Sequence, residues 1–283
     1  MASKVKQHIL SKTYLKHFSL NGNGKGIYII NCQDKFRKGI QYKDSGDAIF
    51  WEEKFYNSDK FDSPTHLEDF FANDIEPLYN QVIADISKEK PITELPLKLA
   101  LFQWIYYSKL RSPIWRGHYE KLLALGKPLN NHDSKIIQRK AKELHLRFFT
   151  DEPFYLVLLD KFMTVLFSKR WSILKRPDNN YWLTTDNPGF DVDLSKLSAA
   201  TLPIAKPFWN VLNNNTLIYY PLSKDYCLEI KPYNSGEDIS LNLTNTPIDF
   251  STDPPFEHIN YWTSCTYNKL IISADRALLE RIV

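Results

Sequence analysis

Two hydrophobic periods divide the chain. From about residue 62 to 168, apolar side chains recur at three- and four-residue spacing, as amphipathic helices require; outside that block they come in short runs bounded by Pro, Gly and Asn, as strands do. Asp62-Ser-Pro-Thr65 carries a helix-start signal, with Pro64 near the first turn and Glu68 completing a Thr-x-x-Glu box. Leu67, Phe70, Phe71, Ile75, Leu78, Val82 and Ile86 then mark one apolar stripe, and Pro77 inside it predicts a kink or break near Glu76. A second long helix is predicted from about Leu97 to Leu125, bent just past Arg111 because Pro113 removes a backbone donor. Asp133 or Ser134 caps a third helix running to Phe148. Asp151-Glu-Pro153 opens a fourth, whose near-continuous apolar character to Phe167 places it at the centre of the helical block.

On the N-terminal side, Leu10, Tyr14, Leu15 and Phe18 predict a short amphipathic helix, alone or after an extended lead-in. The glycine-rich stretch Asn21–Gly26 precedes the β-branched run Ile27-Tyr-Ile-Ile30. Phosphate-cradling loops follow a strand and open a helix, so this one reads as a hairpin or linking turn. Phe36 and Ile40 continue a small β region that Ile49-Phe-Trp51 and Phe55-Tyr56 close. Past Phe167, strands are predicted at Arg170–Leu174, Tyr181–Thr184, Thr216–Tyr220, Cys227–Lys231 and Lys269–Ser273, the third and fourth joined by a hairpin through Tyr220–Asp225. Helices are predicted to start at Pro254 and to span Ala274–Ile282. The expected fold is therefore α+β. A helical block (about 62–168) packs on a mixed or antiparallel sheet built from the N-terminal hairpin (25–56) and the C-terminal strands (169–283), as one domain over residues 1–283.

Composition narrows the function less than the fold. Hydrophobic content of 43% with 24% charged residues is ordinary for a soluble globular chain, and the 14% aromatic share suits core filling. A net charge of +3 does not demand nucleic acid, yet leaves room for a local basic patch. The third helix is such a patch, with Lys135, Arg139, Lys140, Lys142 and Arg147; Glu143 and the mixed spacing also suit a plain solvated face. Cys32, Cys227 and Cys265 make neither a disulfide framework nor a CxxC site, so a reducing cytoplasm is expected. No run approaches the ~18 apolar residues of a membrane span, and residues 1–8 lack an apolar leader, so no membrane partner is expected.

Candidate chemistry concentrates at Tyr181-Trp-Leu-Thr-Thr-Asp-Asn-Pro-Gly189, where a strand signal runs into hydroxyl, carboxylate and amide groups. Pro188 and Gly189 should end the strand there. Asp186 and Asn187 either shape a site or bond their own backbone in a turn. Arg111 and Arg116 flank the Pro113 bend as a candidate anion grip; equally, Arg111 pairs with an acidic residue to join two helices. Glu68, Asp69, Asp74 and Glu76 have no His at metal-partner spacing and read as a solvated face, with metal and cofactor use unassigned.

Taken together, Gln7-His8 with Tyr14-Leu15-x-x-Phe18, Arg111-x-Pro113-x-x-Arg116, Leu183-Thr-Thr-Asp-Asn-Pro188, Pro221-Leu-Ser223 and the Asn260 stretch form an ordered set. It resembles the bacterial domain-of-unknown-function family numbered 4238 over roughly residues 7–275. Thr185 stands where that family more often has Ser, which weakens any nucleophilic role there. The proline that commonly follows the His motif is replaced by Leu10-Ser11. The resemblance implies a bacterial cytoplasmic protein without an assigned activity, and its motifs single out His8, Arg111, Arg116, Asp186, Asn187 and Ser223. If these polar groups from separate elements meet in one cleft, they form a site. One expected function is a phosphate-ester hydrolase, a nuclease or nucleotide hydrolase of a defence or toxin kind. His8 would then be acid or base and Asp186 its orienter, while Arg111, Arg116, Asn187 and Ser223 bind a nucleic acid or nucleotide. The alternative is a non-catalytic anion- or partner-binding module in which the same residues are structural. A Ser223–His8–Asp186 triad lacks the strained Gly-x-Ser-x-Gly turn that would support it.

Overall fold

In the structure, a computed structural model, residues 6–33, 39–125, 131–196, 212–233, 243–244, 246–251 and 254–282 are described. The strand reading at Phe36 lies outside them. The chain opens with β1 (Lys6–His8), an extended lead-in to α1 (Lys12–Lys16), then β2 (Ile27–Asn31), β3 (Gln41–Lys43) and β4 (Trp51–Glu53). The first long helical stretch comes in two pieces, α2 (His66–Phe70) and α3 (Glu76–Ile86), joined by one wide π turn over 71–75 in which the Glu76 N–H reaches back to the Phe71 carbonyl. Pro77 sits in the first turn of α3, where its missing donor costs nothing, so the break falls at Glu76 as the sequence predicts. The Thr-x-x-Glu box does not form. The Thr65 hydroxyl donates to Asp69 (2.7 Å), and Glu68 is turned elsewhere.

The next helices are α4 (Leu95–Arg111), α5 (Ile114–Ala124), α6 (Asn131–Thr150) and α7 (Glu152–Phe167). Pro113 does more than bend: it separates α4 from α5 and leaves the last carbonyls of α4 short of helical donors, only that of Lys109 taking the Ser112 N–H of the turn (3.2 Å). Each finds a side-chain donor. The Trp115 indole donates to the Lys109 carbonyl (2.8 Å), the His145 Nε2 lies 2.8 Å from that of Leu110, and the Tyr56 hydroxyl donates to that of Arg111 (2.8 Å). Three segments thereby fix the end of α4. The centre of the block is α4, buried on nearly all sides, and not α7 as its composition suggests; Leu156 and Val157 of α7 are 52% and 56% exposed. At α7 the Asp151 carboxylate caps the helix through the Phe154 N–H (3.2 Å).

The later strands are β5 (Arg170–Lys175), β6 (Thr184–Thr185), β7 (Phe190–Asp193), β8 (Thr216–Pro221), β9 (Tyr226–Lys231), β10 (Asp249–Ser251) and β11 (Leu270–Ser273), with α8 (Phe256–Ser264) and α9 (Arg276–Glu280) flanking β11. They divide between two sheets. One has the order β10-β5-β9-β8-β7, antiparallel except for the parallel β10–β5 pair; the other, β3-β2-β11-β6, is antiparallel and takes in the N-terminal hairpin. β1 pairs with β4 separately, His8 opposite Trp51. The α+β assignment holds, with a mixed and an antiparallel sheet.

Residues 185–189 are therefore the crossing between the two sheets, from β6 in one to β7 in the other. Gly189 makes the crossing possible. Its φ is +73°, and a Cβ there would lie 2.6 Å from the Tyr220 ring and 2.9 Å from the Tyr219 carbonyl, so no other residue fits. Beside the crossing, the buried Tyr14 hydroxyl donates to the Pro221 carbonyl (2.7 Å) and lies 2.7 Å from the Thr184 hydroxyl, tying α1 to both sheets at once. Tyr14 also packs on Phe18, Tyr79 and Trp104 in a continuous aromatic core beneath α4.

Candidate functional site

The crossing, the end of α4 and the β1–α1 lead-in meet at one place. Arg111, 5% exposed, lies at its centre. Its Nε donates to the His8 carbonyl (2.8 Å), Nη2 to Glu68 Oε1 (3.2 Å), and Nη1 lies 3.6 Å from Glu76 Oε1. The guanidinium covers the Phe71 ring at 4.4 Å. Glu76 accepts a further bond from the Thr13 hydroxyl (2.6 Å), and Glu68 accepts the His8 backbone N–H (2.8 Å). One arginine with two carboxylates therefore joins β1, α1, α2, α3 and α4. Burial raises the Glu68 pKa, but the hydrogen bond from His8 and the charge of Arg111 outweigh it and hold the group below the usual carboxylate range.

His8 enters this network chiefly through its backbone; its imidazole Nδ1 lies 3.6 Å from Glu68 Oε2, and the side chain is 18% exposed. The preceding Gln7 is buried and fixes the same segment, donating to the Asn57 side chain and the Pro64 carbonyl (2.9 Å each). Asp186 is spent on its own neighbourhood. Its Oδ1 accepts the N–H groups of Asn268, Lys269 and Leu270 at 2.9–3.1 Å, which pins the start of β11 beside β6. Burial raises its pKa and the three backbone donors oppose that. Asn187 docks the crossing on α4: its Oδ1 lies 3.0 Å from Lys109 Nζ and 3.4 Å from the Ser112 hydroxyl, and its Nδ2 donates to the Thr266 carbonyl (3.2 Å). Thr185, in the position where a nucleophile was doubtful, accepts the Asn187 N–H (3.2 Å) and is fully buried.

Of the six residues singled out by the sequence, His8, Arg111, Asp186 and Asn187 thus gather around the crossing. Arg116 sits one turn into α5 and faces another way, stacked at 3.7 Å over Phe55, donating to the Phe55 carbonyl (2.7 Å) and lying 3.9 Å from Glu52. Ser223 stands apart in the β8–β9 hairpin, where its hydroxyl accepts the N–H groups of Asp225 and Tyr226 (3.1 Å each). It bonds neither His8 nor Asp186, so the described contacts build no triad from the three.

Lys109 is the residue that sequence reasoning passed over. Its ammonium donates to Asn187 Oδ1 and to the carbonyls of Pro188 (2.7 Å) and Gly189 (2.8 Å), wrapping the crossing from inside. Burial brings its pKa down to about 7, opposed by the charge of Asp191. The signal was present: a lysine on a helix apolar all round must find partners inside.

Two voids open here. A narrow cavity of about 20 Å³, room for a water molecule, lies among Arg111, Glu76, Tyr14, Ser108, Tyr220 and Trp104. A cleft of about 180 Å³ lies on the other side of Ile9 and Leu10, lined in part by Pro113, Glu52, Asp186 and Lys269. Among the described residues no group of three or more His, Cys, Asp or Glu side chains is arranged to hold a metal, and no helix is long and apolar enough to cross a membrane.

Residues 6–276 match a family described as Protein of unknown function (DUF4238). Neither the curated proteins nor the solved structures include a match.

Proposed function

The chain belongs to the DUF4238 family, and on that footing we propose that it is a non-catalytic anion- or partner-binding module whose motif residues are structural. One observation carries this reading. The Arg111 guanidinium, the best anion grip in the sequence, is buried against a carbonyl and two carboxylates of its own chain, and the cavity beside it has room for no more than a water molecule. Removing either glutamate to admit a phosphate would strand a buried charge, a cost of several kcal/mol. The anion is a nucleic acid or nucleotide, the class that a mildly basic chain with a local surplus of Lys and Arg recognises. The three free cysteines suit a cytoplasmic setting.

A second reading has its own support. The partly exposed His8 ring beside Glu68 is the arrangement of a base and its orienter, which a phosphate-ester hydrolase of the nuclease or nucleotide-hydrolase kind requires. Incubating the protein with bis-p-nitrophenyl phosphate and with end-labelled single-stranded DNA and RNA, with and without Mg²⁺ or Mn²⁺, separates the two. The binding module releases no product above the blank. Turnover that disappears in a folded His8→Ala variant establishes the hydrolase and overturns the module.

A further inference from the structure

If the motif region is filled by its own counter-charges, an anion must bind elsewhere. A wide open groove lies on the far face of α6, walled by α5 and the 57–60 loop, with a volume of about 850 Å³. That is within the range of ligand pockets. Five basic side chains line it (Lys60, Arg139, Lys140, Lys142 and Arg147) against two acidic ones, Asp59 and Glu143. Chain partners satisfy only some of them. Arg147 pairs with Asp151 at 2.8 Å and Arg139 lies 3.8 Å from Glu143. Lys60 and Lys140 are exposed and enter no ion pair among the described residues.

Lys142 shows how crowded the positive charge is. It is half-buried, its ammonium donates to the Lys54 carbonyl (2.9 Å), and its pKa is lowered by burial first and then by the like charges of Arg116 and Lys54, against the pull of Glu52. Cations held this close without enough counter-charge bind an anion that supplies it. Leu123, Leu144 and Leu146 line the same groove, so the surface offers an apolar patch beside the charges. Asn57, Ser58 and Thr150 add neutral polar groups at its edge.

We propose that this groove takes a phosphate-bearing ligand with a planar or apolar part, the chemistry shared by a free nucleotide and a nucleic-acid strand. The lysines and arginines neutralise phosphate, and the leucines cover a base or sugar face. The proposal rests on the binding-module reading and gives it a location distinct from the family motifs.

The test is fluorescence anisotropy on the full chain with three probes: a short end-labelled single-stranded RNA, the DNA of the same sequence, and a fluorescent N-methylanthraniloyl-ADP. Each is titrated at about 50 mM and about 200 mM NaCl, a range over which phosphate contacts lose much of their affinity. The variant is Lys60→Glu/Lys140→Glu, two exposed positions, with the exposed Lys25→Glu between Asn21 and Gly26 as control. The groove predicts about tenfold or weaker binding in the double variant, less than about twofold change in the control, and affinity that falls with salt. Strand affinity well above that of the ADP probe assigns nucleic acid; equal affinity assigns the nucleotide. Wild-type binding that survives the double reversal overturns the groove and leaves the module intact. No binding of any probe at low salt overturns both the groove and the anion-binding form of the module.

Discussion

Arg111 and Lys140 carry the same charge and meet opposite fates. Arg111 at the end of α4 is buried, holds a carbonyl and two glutamates, and covers an aromatic ring; Lys140 on α6 is exposed and ion-paired to nothing described. The first arrangement stores its electrostatic energy in the fold, because the charge is already opposed by two carboxylates before any ligand arrives. The second leaves the field of its charges pointing into solvent, where only a partner can use it. A short motif built from reactive-looking residues therefore marks, in this chain, the joint where two sheets and the central helix are fastened. A helix with an unremarkable charge pattern faces the larger open groove.

This contrast can be broken at several points. The largest effect is expected for Arg111→Ala, which leaves Glu68 and Glu76 partly buried without their cation. Urea unfolding should show a loss of about 3–5 kcal/mol, as for other broken buried ion pairs. Asp186→Ala comes next. It deprives three N–H groups, that of Leu270 buried and those of Asn268 and Lys269 partly so, of their acceptor, at a total of about 2–3 kcal/mol, and Asp186→Asn, which keeps one oxygen, should recover about half of that in the same assay.

A pH series sharpens the picture at smaller amplitude. The folded-state pKa of Glu68 lies below its unfolded value, since the His8 hydrogen bond and Arg111 prevail over burial. The unfolded chain thus takes up this proton first on acidification, so the stabilisation is complete above the ordinary carboxylate range near pH ~4.3 and fades as pH falls through the folded value. Urea midpoints measured from about pH 6 down to about pH 3 should fall more steeply for the wild type than for Glu68→Gln, which has no proton to gain there. The smallest effect belongs to the groove. Lys60→Glu/Lys140→Glu should leave stability within about 0.5 kcal/mol of wild type, because exposed positions outside packed networks seldom cost more; calorimetric melting checks this.

Local features of the fold were legible in the residue order. The place of the Pro113 interruption (expected as a bend, found as a break), the Asp151 cap, the Tyr220–Asp225 hairpin and the strands from Arg170, Thr216, Cys227 and Lys269 each depend on neighbours in sequence. The strand predicted at Tyr181–Thr184 shrinks to the two residues of β6 (Thr184–Thr185), β1 was foreseen only as an extended lead-in, and β10 was not legible, because alternation needs more positions than these have. Nor could apolar content place α7, since it does not say which face is covered. The same limit applies at the candidate site. The motif residues His8, Arg111, Asp186 and Asn187 do converge, as their separate elements suggested, but their roles depend on partners far along the chain. Glu68 lies 43 residues from Arg111 and read locally as a capping residue. Whether Arg111 would meet a ligand or an acid of its own chain was open in the sequence, and only the packing of α2 and α3 against α4 decides it.

The most direct test is a double-mutant cycle on that pair, comparing the unfolding free energies of Arg111→Ala, Glu68→Ala and the double variant with wild type. A fastening built on one buried network requires a coupling energy of about 1–3 kcal/mol, the double variant losing less than the two single losses added together. Additive losses, agreeing within about 0.5 kcal/mol, would mean that Arg111 and Glu68 act independently, and would contradict the structural role given to the motif.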